Sequence, residues 1–384
     1  MRVIGVVTTS RADYTFYYPV LRLIKAAPDL RLALIVSGMH LLPNFGGTLE
    51  EMKRDGFPVW AKVNSLGRSD SALGVAQSIS RGVEGFAKLF QRRRPDILLV
   101  LGDRFEMYAA ALAATPFSLP IAHIAGGAVS EGAIDEVFRH SLTKMAHLHF
   151  VETATYRERV IRMGEEPWRV TLSGSPSLDN LRRMNFMTTT ELNDQFGVSI
   201  QEPFFLSTFH PVTRELDAVS SQIAELLKAV EAFEGHVVFT YPNADPTGRF
   251  LVRCLRDFRD KKREKVTLLK NCGTRAYFSL MNAAIAMLGN SSSGLIEAPS
   301  FRLPVVNIGN RQRGRLRARN VIDVGNSRGA ILRGMRKALS KQFRASLADL
   351  ENPYGVGKAA PKIVSRLRAV KLGQKLIMKR FHDC

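Results

Sequence analysis

The run Gly289-Asn290-Ser291-Ser292-Ser293-Gly294 gathers small residues and three hydroxyls between an apolar stretch and a helical one. Glycine lets a backbone approach a ligand, and hydroxyls with the unpaired N–H groups of a helix start donate to phosphate oxygens. The same string suits an ordinary loop with a serine cap, and it is neither a P-loop nor a Gly-x-Gly-x-x-Gly fingerprint. Glu297, one turn further on, could accept both hydroxyls of a ribose or stand as a solvated helix charge. Arg11 and Arg311 could neutralise phosphates, although taken singly each reads more simply as surface solvation.

The acidic inventory lies elsewhere. Asp103 closes the apolar run 97–101 with Arg104 beside it, where a carboxylate can act as general base, anchor a substrate or cap the next helix. Ser130, Glu131, Asp135, Glu136, Arg139 and His140 crowd the stretch after His123. Carboxylates and histidines converging in one place have their pKa values pushed apart, which separates an acid from a base. Asp135 and Glu131 suit that role, while Glu136 and His140, four apart, suit a plain helix pair. His210, before Pro211, ends another apolar run, and a loop histidine is better placed for function than one on an apolar face. Asn243, in Tyr241-Pro242-Asn243-Ala244-Asp245, adds an amide that could read a sugar or a base, although the string alone is merely a turn.

What positions these residues is a repeated pattern. β-rich apolar runs at 2–7, 31–36, 96–101, 121–124, 147–151 and 170–173 alternate with helical stretches at 14–26, 72–91 and 105–114. Residues 176–197 are polar, punctuated and weak in strand signal, and read as a linker. The alternation resumes with strands at 204–208, 236–240, 266–269, 284–288 and 305–308 and a helix at 214–233. Such crossovers predict an α/β fold with parallel sheets in two Rossmann-like domains, over 1–178 and 179–358. Residues 359–384 begin with a basic, periodically apolar helix (Ile363, Leu367, Val370), expected to cross back to the first domain. In an open parallel sheet ligands bind beyond the carboxyl ends of the strands. The chemical residues occupy such loops in both halves, so a cleft between facing domains is expected.

At 384 residues, 45% hydrophobic and 23% charged, the chain can bury two ordinary cores. Nowhere do about 18 apolar residues run uninterrupted, which argues against a membrane span. The opening Val3 to Val7 lacks the longer apolar run and cleavage site of a secretory signal and reads as a strand. Cys254, Cys272 and Cys384 are too few and too scattered for a metal set or a disulfide scaffold, which points to the reducing cytoplasm. The formal charge of +20 suits nucleic acid, an anionic membrane surface or a small anionic substrate. Its basic clusters at 92–94, 261–265 and 311–319 lack interleaved aromatics or a nucleic-acid module, so no nucleic-acid partner is expected.

Taken together and in order, these strings resemble the hydrolysing UDP-N-acetylglucosamine 2-epimerases. The likeness runs nearly end to end, through Arg11-Ala12-Asp13-Tyr14, Gly102-Asp103-Arg104-Phe105-Glu106, His123 with Gly126-Gly127, Gly132-Ala133-Ile134-Asp135, Arg139-His140, His210-Pro211, Tyr241-Pro242-Asn243-Ala244-Asp245, the 289–294 run, Glu297 and Arg311-Gln312. The resemblance implies the glycosyltransferase-B-like architecture, with UDP mainly on the second domain. It implies that Ser291, Ser292, Glu297 and Arg311 hold the nucleotide, and that His210, Asn243, Arg11 and Arg104 line diphosphate and sugar. Asp103 and Asp135 become the acid-base candidates. The implied reaction abstracts the C2 proton of UDP-N-acetylglucosamine, or of a 4-acetamido-6-deoxy relative, eliminates UDP and adds water to give the free 2-epimer, of the N-acetylmannosamine type. That chemistry calls for no organic cofactor and no metal, and the family resemblance implies a homo-oligomer.

One position departs from the pattern. Where the family places histidine or glutamate between Ile124 and Gly126, and often glutamate after the second glycine, this chain has Ala125 and Ala128. Alanine neither moves a proton nor binds a hydroxyl, which implies a slower enzyme, an altered substrate or an engineered variant. Glu131 is the carboxylate that could partly substitute. The alternatives are a UDP-sugar-dependent glycosyltransferase and a UDP-sugar-binding protein without turnover.

Overall fold

Short runs of Val, Ile, Leu and Phe become strands buried on both faces, as a parallel sheet covered by helices requires. The computed structural model describes residues 1–42, 48–67, 69, 71–131, 134–212, 215–242, 247–270 and 272–383. Among them, one sheet has seven strands: β1 (Arg2–Thr8), β2 (Leu30–Ser37), β3 (Val59–Val63), β4 (Ile97–Leu101), β5 (Ile121–Ile124), β6 (Leu148–Val151) and β7 (Val170–Leu172). A second has six: β8 (Phe204–Thr208), β9 (His236–Thr240), β10 (Val266–Leu269), β11 (Ala286–Gly289), β12 (Val305–Ile308) and β13 (Val321–Val324). Every pairing is parallel, in the orders β3-β2-β1-β4-β5-β6-β7 and β10-β9-β8-β11-β12-β13. The expected α/β class with two Rossmann-like halves is therefore present.

The chain divides into two compact units. The first comprises Met1–Ala128, Asp135–Arg182 and Tyr354–Cys384; the second comprises Val129–Ile134 and Arg183–Pro353. The boundary after Arg182, rather than after Leu178, follows from Asp179, whose carboxylate accepts the N–H groups of Ala359 (2.9 Å) and Ala360 (2.8 Å) at the start of the helix Ala359–Ala369. Ile363, Val364 and Leu367 of that helix join Val20, Leu21 and Ile24 of the helix Arg11–Ala26 in the first core. Phe205, Leu226, Phe239, Leu255 and Met335 centre the second.

Some expectations need correction. The edge strands β3 and β13 were not expected, because each is short and only partly apolar. The polar stretch 176–197 is not a bare linker. Its Thr188 and Glu191 form a reciprocal cap that starts the helix Thr189–Phe196, and Gly197 closes it. The helix expected from 214 runs Val219–Ala232 after a short 3-10 turn, Leu216–Ala218, while Arg214 lies outside the described residues. No helix among the described residues is long and apolar enough to cross a membrane.

Candidate functional site

Each sheet reverses strand order at one place, and loops leaving the strands there diverge to make room for a ligand. In the first unit the reversal lies between β1 and β4. After β1, the buried carboxylate of Asp13 accepts the N–H of Thr9 (3.0 Å) and of Ser10 (2.9 Å) and the Thr9 hydroxyl (2.6 Å), which fixes the loop that presents Arg11. Arg11 pairs with Glu51 at 3.4 Å. After β4, the fully buried Glu106 grips Arg104 through two hydrogen bonds of 3.1 and 2.9 Å.

Asp103 is not the cap of the helix Phe105–Ala114; Arg104 holds the N-cap position and makes no side-chain capping bond. The Asp103 carboxylate instead pairs with Arg139, a residue only 3% exposed, which also donates to the Ala125 carbonyl at 3.2 Å. Ala125 has φ of 64°, a left-handed conformation that alanine seldom adopts. Underneath, the His123 Nε2–H donates to the Gly102 carbonyl at 2.8 Å, and burial pushes the imidazole down to about 3, so it stays neutral.

Asp135 opens the helix that carries Arg139 one turn later. Burial raises its carboxyl to about 6, the negative charge of Asp103 adds to the rise, and Arg104 and Arg139 oppose it. Asp103, Asp135, Arg104 and Arg139 thus form one charge cluster in which a carboxyl can hold or release a proton near neutrality. Glu136 and His140 stand 3.0 Å apart as a helix pair.

In the second unit the reversal lies between β8 and β11. Gly289 ends β11 with φ of 133°, and a side chain there would meet the Thr208 carbonyl at 2.2 Å. The next side chain, buried Asn290, accepts from the His210 N–H (2.7 Å) and donates to the His210 carbonyl (2.8 Å), locking the two loops together. Its own carbonyl receives Arg311 (3.0 Å) and Gln312 (2.8 Å). His210 is buried and held well below its ordinary pKa by that burial and by the charge of Arg311. Ser291 and Ser292 are half-buried on the same loop, and Glu297 is buried.

The helix after this loop is a single turn, Ser293–Ile296, followed by the 3-10 turn Ala298–Phe301, so it is shorter than expected and its dipole contributes little. Gly294 answers to packing rather than to a ligand, since a side chain would meet Val305 at 2.8 Å. Tyr277 gave no signal in the sequence. Burial pushes its phenol up to about 12, and it bonds with Ser293 and Thr208 close to the charge of Glu297.

Glu131 and Ser130 belong to the strap Val129–Ile134 and so to the second unit. Glu131 pairs with Arg313 at 3.2 Å, and Arg315 donates to the Val129 carbonyl (3.2 Å) and pairs with the Ser130 hydroxyl (3.0 Å). Asn243 lies outside the described residues, as do Ala244, Asp245, Gly132, Ala133 and Thr213.

A family model described as UDP-N-acetylglucosamine 2-epimerase matches residues 22–368. A Campylobacter jejuni protein named GDP/UDP-N,N'-diacetylbacillosamine 2-epimerase (hydrolyzing) is 35% identical over 384 residues, covering 100% of this chain and 99% of its own. A Legionella pneumophila protein named UDP-N,N'-diacetylbacillosamine 2-epimerase (hydrolyzing) is 34% identical over 99% of each chain. Among solved structures, the Methanocaldococcus jannaschii UDP-GlcNAc 2-epimerase in complex with UDP-GlcNAc and UDP superposes with a TM-score of 0.78 over 96% of this chain and 99% of that one. At 16% identity that likeness concerns the fold alone.

Proposed function

Because the chain belongs to the UDP-N-acetylglucosamine 2-epimerase family, we propose that it is a hydrolysing UDP-sugar 2-epimerase whose substrate carries a 4-acetamido group and lacks the 6-hydroxyl, of the N,N'-diacetylbacillosamine type. The relatives named for such sugars match the chain from end to end, which supports that substrate over UDP-N-acetylglucosamine itself. A base takes the proton from C2, the C–H electrons become the C1–C2 double bond, and the C1–oxygen bond breaks to release UDP. Water then adds its hydroxyl to C1 while C2 regains a proton on the opposite face, giving the free 2-epimer.

The observation that carries this reading is the pair Asp103 and Asp135, one tied to Arg139 and the other raised to about 6. A carboxyl that can hold or release its proton near neutrality, as Asp135 can, is what successive removal and return of a carbon-bound proton require. Arg104 and Arg11 serve the sugar and diphosphate. On the second unit Ser291, Ser292, Glu297, Arg311 and His210, with Asn243, hold the nucleotide, and a neutral His210 donates or accepts a hydrogen bond without adding charge. Glu131 is the remaining proton carrier, and retained turnover in Glu131→Gln assigns the work to the aspartates alone.

A second reading, UDP-sugar binding without turnover, is favoured by Ala125 and Ala128. Incubation with UDP-N,N'-diacetylbacillosamine and with UDP-N-acetylglucosamine separates the readings. The epimerase releases UDP and a free 2-epimeric sugar with no acceptor present, faster from the former. Release only with an added acceptor makes the protein a glycosyltransferase, and calorimetric binding without any release makes it a binding protein.

A further inference from the structure

The chain carries twenty excess positive charges, far more than its two half-sites use. Residues 358–383 concentrate them, with eight lysines and arginines against one acid, Asp383. The last part of this segment is pinned to the first unit. Arg169 donates to the carbonyls of Leu376 (2.8 Å), Lys375 (3.1 Å) and Met378 (3.3 Å). Lys379 reaches the buried Glu165 (2.8 Å) and the carbonyls of Lys144 and Ala146 (each 2.7 Å), and the His382 N–H donates to the Gly164 carbonyl (3.0 Å).

Pinned at 376, 379 and 382, the segment leaves several side chains largely exposed, although the Phe381 ring rests against Gly164 with the Lys144 ammonium 5.1 Å from its centre. Met378 is 70% exposed, Phe381 68% and Leu372 41%, interleaved with exposed Lys371, Lys375 and Arg380. Trp168 lies beside them, 37% exposed, with the cations of Arg169, Arg366 and Lys375 at 4.3, 5.7 and 5.9 Å from its rings. The neighbouring acids are already matched, Glu165 by Lys144, Lys379 and His149, and Glu166 by Arg169 at 2.8 Å.

We propose that this face docks on an anionic phospholipid bilayer. Lys371, Lys375 and Arg380, which have no ion pair among the described residues, meet headgroup phosphates while Met378, Phe381 and Leu372 enter the interface, a combination of charge and apolar insertion that strengthens binding beyond either alone. Met378 and Leu372 have no π-face on which a base could stack, which favours lipid over single-stranded nucleic acid. Because the segment is already ordered by its anchors, docking forfeits little chain entropy.

The test is co-sedimentation of the full-length protein with vesicles of equimolar phosphatidylcholine and phosphatidylglycerol, against phosphatidylcholine alone. The protein should pellet only with the anionic vesicles, and added salt should weaken binding. Lys371→Gln with Lys375→Gln and Arg380→Gln should weaken binding roughly a hundredfold, from the worth of three surface cations. Met378→Ser with Phe381→Ser should weaken it at low salt as well. Lys379 and Arg169 are kept because they anchor the segment, and unchanged circular dichroism and UDP release show that the variants fold. Absence of pelleting at low salt overturns the proposal, as does pelleting that ignores both variants. Tight binding of a labelled single-stranded DNA with no response to anionic vesicles overturns it in favour of nucleic acid.

Discussion

Asp135 has a carboxyl that burial and the charge of Asp103 hold at about 6, against 3.8 in an unstructured chain. Between those values the folded protein binds a proton that the unfolded chain has released, so the contribution of Asp135 to stability is greatest below about pH 4 and is lost as pH rises from there through about 6. Asp135→Asn removes the ionisation, and with it a cost of at most ~3 kcal/mol above pH 6. In urea unfolding, Asp135→Asn should therefore match the parent at about pH 4 and exceed it by roughly 1–3 kcal/mol at about pH 7.5, while UDP release collapses. Equal stability at both pH values would show that the folded protein does not raise the Asp135 carboxyl. The sequence made these carboxylates visible as loop residues after apolar runs. It did not reveal that Arg139, one turn along from Asp135, is the partner of Asp103, because a helix spacing shows which residues share a face and not what that face meets.

Loops at the ends of strands are where the backbone conformation is most particular, and at two of them a methyl group is disfavoured to very different degrees. Gly289 leaves β11 at φ of 133° with no room beside the Thr208 carbonyl, so Gly289→Ala should destabilise by at least ~3 kcal/mol. Ala125 sits at φ of 64°, where the penalty for a Cβ slightly outweighs the added freedom of glycine in the unfolded chain, so Ala125→Gly should stabilise by about 0.5 kcal/mol. Urea midpoints at constant slope measure both, and a loss of stability in Ala125→Gly would remove the strain assigned to that turn. Central strands such as β4 and β9 were legible because burial on both faces demands an unbroken apolar run. The edge strand β3 escaped because Lys62 interrupts such a run, and the helix Thr189–Phe196 because Leu192 alone among its residues is buried, although its capping signal was present in the sequence.

Two separate cores make each unit a candidate for its own unfolding transition, and the distribution of tryptophan lets them be told apart. Both tryptophans of the chain, Trp60 and Trp168, belong to the first unit, so fluorescence follows that unit while circular dichroism follows both. Long-range pinning is what the sequence least exposes. Arg169 is 1% exposed and holds carbonyls more than two hundred positions away, a role that no local pattern announces. Arg169→Met keeps most of the apolar stem and removes the donors, leaving those carbonyls unpaired, so it should lower the fluorescence-detected transition by roughly 2–4 kcal/mol. UDP at a hundredfold excess over its dissociation constant should raise the other transition by about 2.7 kcal/mol and move this one less, because most of the proposed nucleotide ligands lie on the second unit. Should UDP move the fluorescence transition alone, the nucleotide is held by the first unit, and the roles given to Ser291, Ser292 and Arg311 are wrong.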